Sequence, residues 1–83
     1  MPRFFFNTAD GGRDEDKNGV ELPSLAAARN EATRYAGSVL GDQPDILSNG
    51  RFCVEVTDAD GELLFEIVTS MVDGTVNGSD GTL

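Results

Sequence analysis

The sequence predicts a single α+β domain in which one amphipathic helix packs across a small, mostly antiparallel sheet of three or four strands. The prediction depends on one clear helical apolar repeat, which begins at Leu25, and on an alternating strand–turn–strand pattern between Arg51 and Thr69. A chain of 83 residues has room for one domain. We place this domain at residues 1–70 and expect the acidic, glycine-rich residues 71–83 to form a disordered tail.

The expected element order is strand, short strand, helix, strand, strand. Residues 3–8 predict the first strand, because Phe4 and Phe6 share one face of an extended segment, and their bulk favours a central position. The pair Gly11-Gly12 then favours a turn. Residues 19–22 are expected to form a short strand that returns along the first.

Ser24 is the expected N-cap of the helix, because its hydroxyl can accept a hydrogen bond from an unpaired amide of the first turn. Gly41 is expected to follow the last helical residue, and Pro44 prevents any continuation. Small alanine side chains on the buried stripe would let the helix lie close to the sheet. The predicted stripe consists of Leu25, Ala28, Ala32, Tyr35 and Val39.

A β-hairpin is predicted at the end of the domain. Residues 51–57 alternate, with Phe52, Val54 and Val56 on one face, and residues 58–61 have the composition of a tight turn. Residues 62–69 are expected to form the second strand of the hairpin. This strand is apolar on both faces in places, which suggests a central position in the sheet or a covered face.

Charge is distributed unevenly along the chain. Residues 1–41 carry a net charge of −1, whereas residues 42–83 hold nine acidic side chains and one basic one, a net charge of −8. Such a surface repels nucleic acids and anionic lipids and is compatible with a basic protein partner. No apolar run is long enough to span a membrane, and the first residues lack the apolar core of a secretory signal. We therefore expect a cytoplasmic protein.

The residue types do not favour catalysis. The chain has no histidine, one lysine (Lys17) and one cysteine (Cys53), which lies in an apolar strand pattern and is expected to be a passive thiol. Asp58 and Asp60 fall in a hairpin turn, where they should be solvated. We expect no enzyme activity and no cofactor.

Residues 14–20 resemble the first half of a calcium-binding loop. Asp14, Asp16 and Asn18 stand at the first three ligand positions of such a loop, and Gly19 stands at its glycine position. The closing glutamate is missing, because its position is occupied by Leu25. A polar connection that leads into the helix is the favoured interpretation, and weak calcium binding is the alternative.

A small non-catalytic protein-interaction or regulatory module is the function that we expect. Its ligand would be a protein partner or a second copy of the chain, because some apolar side chains are left over on the face that the helix does not cover. Arginines on the helix could add a recognition patch. The candidate partner surface consists of Phe5, Leu64, Val68, Arg29 and Arg34.

The chain also resembles a family of small uncharacterised bacterial proteins of about this length. The resemblance covers residues 2–68 and implies the same strand, helix and hairpin order, with no catalytic residues. Asn7 stands where many relatives are expected to have histidine, which argues against an acid–base or metal role at that position. The matching segments are Pro2-Arg3-Phe4-Phe5-Phe6, Glu21-Leu22-Pro23, Ala27-Ala28-Arg29, Glu31-Ala32 and Phe52-x-Val54-x-Val56-x-Asp58-x-Asp60-Gly61.

A more distant similarity is to HicB-type antitoxins, in which two strands precede a helix with a Glu-Ala pair like Glu31-Ala32. The Pro-Gly-Cys element usual before that helix is absent here, and no DNA-binding segment follows the hairpin. This similarity implies binding of a partner.

Overall fold

The computed structural model describes residues 1–74 and confirms the α+β prediction: one helix packs on an antiparallel sheet of five strands. Two of these strands are only two residues long. The elements are β1 (Arg3–Ala9), β2 (Arg13–Asp14), β3 (Val20–Glu21), helix α1 (Leu25–Asp42), a short 3-10 helix (Ile46–Asn49), β4 (Arg51–Thr57) and β5 (Leu63–Ser70).

The strand order is β2-β1-β4-β5, and β3 pairs with the same edge of β1 as β2. β1 is therefore central, as its aromatic residues predict. β2 lies within a segment that predicts only a turn, and two residues of pairing are too few to produce an alternating pattern. β4 pairs with β1 over five residues, from Phe5 opposite Thr57 to Ala9 opposite Cys53.

The core lies between the sheet and α1. Phe52, Val54 and Val56 of β4 are at most 2 % exposed, and they face the helix together with Phe4. The helix approaches this face through three alanines spaced by four residues: Ala28, Ala32 and Ala36. The small alanine side chains allow the close approach that the sequence predicts.

The predicted apolar stripe is wrong at two positions. Leu25 and Tyr35 are 41 % and 40 % exposed, whereas Ala36, outside the predicted stripe, is 5 % exposed. The ridge formed by every fourth residue faces the sheet, and this ridge excludes both large side chains. Leu25 is therefore not the first core residue of the helix.

The two helix ends differ in how well the sequence predicts them. Ser24 is the N-cap, as predicted, and its Oγ accepts a hydrogen bond from the Ala27 amide at 3.1 Å. The prediction for Gly41 is wrong, since α1 continues to Asp42 and the amide of Gln43 bonds to the Val39 carbonyl. The polar segment that follows contains the 3-10 helix, which buries Ile46 against the core.

β5 lies at the end of the strand order, so of the two alternatives for this strand the central position is wrong, whereas one of its faces is covered by the core. It pairs with β4 from Arg51 opposite Ser70 to Thr57 opposite Leu63, with a register shift at Val56/Thr57. Its two apolar faces have different surroundings: Phe65 and Ile67 pack against the core, whereas Val68 is 50 % exposed.

Residues 71–74 have no regular secondary structure. The rest of the predicted tail, residues 75–83, lies outside the described residues. No helix in the described part of the chain is long and apolar enough to cross a membrane.

Candidate functional site

The outer edge of β5 is the most accessible strand edge of the sheet. The strand is eight residues long and pairs on one side with β4. On its other side, no strand pairs with it within residues 1–74. An edge strand of this length presents a row of backbone donors and acceptors to which a further strand can bind.

The hydrogen-bond directions along the sheet show which β5 amides point outward. The Phe6 amide donates to a side chain on the β2–β3 side of β1, so the amides of Phe5 and Asn7 point to β4, because successive amides alternate in direction. Carrying this alternation through the register of β4 and β5 directs the amides of Phe65 and Ile67 to β4. The amides of Glu66 and Val68 therefore point away from the sheet.

Apolar side chains are exposed along and beyond the same strand. Leu63 is 54 % exposed and Val68 is 50 % exposed, and the residues that follow the strand, Met71 and Val72, are 65 % and 86 % exposed. Large apolar side chains that remain accessible together are typical of surfaces that bind other proteins. We call residues 63–70 the β5 edge.

The β5 edge lies in the acidic half of the chain. The described residues 42–74 hold eight acidic side chains and one basic one, Arg51. Glu62 and Glu66 are both exposed. The ion pairs within residues 1–74 are Arg3–Glu21, Arg13–Glu55 and Arg34–Glu31, so neither Glu62, which directly precedes the β5 edge, nor Glu66 takes part in one.

On the sheet face opposite the helix, which we call the open face, Arg13, Glu55 and Glu66 lie near one another, and we call these three residues the charge ladder. Glu66 of β5 lies directly opposite Glu55 of β4. Arg13 Nη1 lies 2.6 Å from Glu55 Oε1, on the far side of that carboxylate from β5. Like charges directly opposite each other on neighbouring strands are destabilising. The charge ladder thus ends at β5 with the carboxylate of Glu66, which forms no ion pair with a described residue, although Arg13 and Arg51 line the same open-face cavity.

The Asp14–Val20 segment forms the other conspicuous polar feature. Between the residues that pair with Thr8 and Phe4, namely Asp14 and Val20, the chain has five residues where β1 has three. The two extra residues force a loop, residues 15–19, outward from the strand edge. In the gap, Asp16 Oδ2 accepts a hydrogen bond from the Phe6 amide at 3.1 Å, in place of a strand carbonyl.

Asp16 also organises the loop itself. Its Oδ1 accepts hydrogen bonds from the amides of Asn18 and Gly19, both at 3.0 Å, and its own amide donates to Asn7 Oδ1 at 2.9 Å. Partial burial acts to raise the pKa of the Asp16 carboxyl. The amides of Gly19, Phe6 and Asn18, together with the charge of Arg3, outweigh that effect and bring the pKa below its ordinary value.

This geometry gives the calcium hypothesis no support. Both carboxylate oxygens of Asp16 already accept hydrogen bonds from amides. The carbonyl of Asn18 accepts a hydrogen bond from the guanidinium of Arg3 at 2.8 Å, which places a positive charge at the loop. Asp14 is part of β2. Among the described residues, no group of three or more acidic, cysteine or histidine side chains could hold a metal ion. Calcium binding stays a prediction.

The structure does not bring the predicted partner residues onto one surface. Leu64 and Val68 belong to β5, whereas Phe5 is half-buried on β1, beside Gly19 and separated from β5 by β4. Arg29 lies over the Phe65 ring on the helix side, 5.8 Å from its centroid. Arg34 pairs with Glu31 of the same helix at 2.9 Å.

Two features of the site could not be predicted from the sequence. The edge position of β5 depends on strand order, for which a single sequence holds no direct signal. The role of Asp16 in completing the β1 edge is also non-local. Its one sequence signal is the Asp-x-Asn-Gly pattern, which is typical of a turn in which the aspartate binds the following amides.

Comparison with known proteins gives one result. A family model described as "Domain of unknown function (DUF6894)" matches residues 3–70. No curated protein and no solved structure matches the chain. A similarity to HicB-type antitoxins is not shown.

Proposed function

We propose that this chain, which belongs to the DUF6894 family of domains of unknown function, is a non-catalytic protein-binding module that adds a strand of its partner to β5. The observation that carries the proposal is the β5 edge, which is eight residues long and has no strand on its outer side within the described residues. Backbone hydrogen bonds supply affinity in this mode of binding, and alternate side chains supply specificity.

The exposed apolar side chains support binding at this edge. Val68 lies on the open face and Leu63 begins the strand, and both are exposed, so both would lose contact with water when a further strand docks. Burying apolar surface contributes roughly 25 cal/mol per Å². The same two side chains contribute little where they are, because about half of each remains solvated.

A binding role also agrees with the residue types. The chain contains no histidine, and its one cysteine, Cys53, is buried. The charge of the second half supports a protein ligand over a nucleic acid or an anionic membrane. A cytoplasmic location is part of the same proposal, and imaging of a tagged protein in the native cell tests it.

The test uses Val68→Pro as the edge-blocking variant. Proline removes the outward amide of residue 68 and leaves the amides of Phe65 and Ile67, which pair with β4, in place. Val68→Thr is the matched control, because it keeps the amide and the β-branched shape. All three proteins are used as baits in native lysate, and captured proteins are quantified by mass spectrometry.

The proposal predicts a partner that wild type and Val68→Thr capture and Val68→Pro loses. Circular dichroism first verifies that all three baits are folded. A partner captured equally by Val68→Pro would contradict strand addition at β5.

A further inference from the structure

We propose that the strand that binds β5 carries a lysine or arginine directly opposite Glu66, followed or preceded two residues away by an apolar residue opposite Val68. This inference depends on the proposed strand addition and names the chemistry of the partner. It follows from the charge ladder of the open face and from the alternation of side chains along strands.

The charge ladder runs from β2 past β1 to β4 and β5. Arg13 of β2 pairs with Glu55 of β4 at 2.6 Å, and Glu55 lies opposite Glu66 of β5. The basic side chain on one flank of Glu55 offsets its charge. On the outer flank of Glu66 no described residue does the same. A basic residue on the next strand would complete the alternation of charges.

The surrounding charge argues against a second copy as the occupant. In a pair of β5 strands, two hairpins that each lie in a segment of eight acidic residues and one basic residue would come side by side. The repulsion between them would oppose pairing. A basic strand is attracted by the same field, which accelerates association at low ionic strength.

Val68 fixes the second element of the pattern. Glu66 and Val68 point to the open face two residues apart, and Val68 is 50 % exposed. The partner residue opposite Val68 lies on the same face and is best apolar, because cross-strand apolar pairs stabilise a sheet. The resulting pattern is basic–x–apolar in either direction.

The experiment uses three capped peptides that differ at one position: Thr-Val-Thr-Lys-Thr-Val-Thr and its twins with glutamine or glutamate in place of lysine. Each peptide is titrated into ¹⁵N-labelled full-length protein, and the amide shifts of Glu66 and Val68 are followed. The proteins are wild type, Glu66→Lys and Val68→Pro; because proline has no backbone amide, Val68→Pro is followed at the amide of Glu66 alone.

On wild type, we expect the lysine peptide to bind about 1.4- to fivefold more tightly than the glutamine peptide, the range of an exposed cross-strand ion pair. The glutamate peptide should bind most weakly. On Glu66→Lys the order should reverse. Raising the salt concentration to about 1 M should reduce the preference, because screening then acts within about 3 Å.

Failure of this inference can be told from failure of the proposed function. If all three peptides bound wild type equally and none bound Val68→Pro, strand addition would be supported. The requirement for a basic residue in the partner strand would be overturned. Absence of shifts at Glu66 and Val68 with every peptide would overturn the inference, and lysate capture with Val68→Pro would decide strand addition separately. Shifts at these amides on concentrating the protein without peptide would mean that a second copy binds, and would overturn the inference too.

Discussion

The backbone amide of Asp16 donates a hydrogen bond to Oδ1 of Asn7 at 2.9 Å, across the gap between β2 and β3. Asn7 is 5 % exposed, so this side chain is buried beneath the loop. The carboxylate of Asp16 closes the same gap, because it accepts a hydrogen bond from the Phe6 amide. One edge of the sheet is thus completed by a loop, whereas at the opposite edge no strand within residues 1–74 pairs with the outer side of β5.

Replacing Asp16 with asparagine should destabilise the fold. In the wild type, both carboxylate oxygens of Asp16 accept hydrogen bonds from backbone amides. In the variant, the NH₂ of the new side chain would face one of these donors in either orientation, so at least one hydrogen bond is lost. We expect Asp16→Asn to lower the free energy of unfolding by about 1–3 kcal/mol. The control, Asp14→Asn, removes the same charge from an exposed position and should change it by less than about 0.5 kcal/mol. Urea denaturation measures both, and equal effects would contradict this role of Asp16.

The stabilisation by Asp16 should depend on pH. Its pKa in the folded protein lies below the ordinary value of 3.8, so the folded state favours the charged carboxylate. The contribution is present above that ordinary value and is lost as the pH falls through the folded pKa. The difference in unfolding free energy between wild type and Asp16→Asn should be constant near neutral pH and shrink below about pH 4. A difference that persists unchanged at lower pH would contradict it.

Gly19 and Gly37 should respond in opposite ways to substitution by alanine. Gly19 has a φ of 72°, and an added Cβ would lie 2.8 Å from Arg3 Cγ and 2.9 Å from Phe5 Cε2. Gly37 lies in α1 with no atom within 4 Å of an added Cβ. Gly19→Ala should cost more than about 1 kcal/mol, whereas Gly37→Ala should stabilise by about 0.5–1 kcal/mol. Thermal and urea unfolding of both variants provide the test, and a neutral Gly19→Ala would be the contrary result.

The contact between helix and sheet should tolerate no added volume at Ala32, which is fully buried. Ala32→Leu is expected to destabilise by about 1–3 kcal/mol through overpacking. Leu25→Ala should cost less than about 1 kcal/mol, because Leu25 is 41 % exposed. A loss of about 2–5 kcal/mol for Leu25→Ala would indicate a core residue and contradict the observed helix orientation.

Calcium should leave the loop at residues 15–19 unchanged. Weak calcium modules bind with dissociation constants near 10⁻³ M, so a titration to about ten times that concentration, at constant ionic strength, samples such sites. We expect no saturable shift of the Asp16 or Gly19 amides, because both oxygens of Asp16 accept amide hydrogen bonds. Matched additions of magnesium serve as the control. A saturable shift specific to calcium would contradict this expectation and support the calcium-loop hypothesis.

Local pattern predicts much of this fold. The alternation of Phe52, Val54 and Val56 predicts β4 and its buried face, and Ser24 predicts the start of the helix, since both signals act within a few residues. The exposure of Leu25 and Tyr35 is not predictable in this way. Two helical ridges overlap in this sequence, and the one that faces the sheet is the one that lets the helix backbone approach it more closely. The third buried alanine, Ala36, belongs to that ridge.

The candidate site is less predictable than the fold. The sequence identifies Leu64 and Val68 as apolar residues that the core does not need. They can form a binding surface only because β5 is an edge strand. Strand order is set by pairings between distant segments, such as β1 with β4. The ladder that ends at Glu66 is likewise formed by residues 53 positions apart, from Arg13 to Glu66.

Hydrogen exchange of the β5 amides tests the central claim, an open strand edge that binds a further strand, most directly. In the free protein, the amides of Phe65 and Ile67 should exchange slowly because they point to β4, and those of Glu66 and Val68 should exchange fast. Adding the lysine peptide at saturation should slow Glu66 and Val68 and leave Phe65 and Ile67 unchanged. Slow exchange at Glu66 and Val68 in the free protein, or no slowing with ligand, would contradict the account.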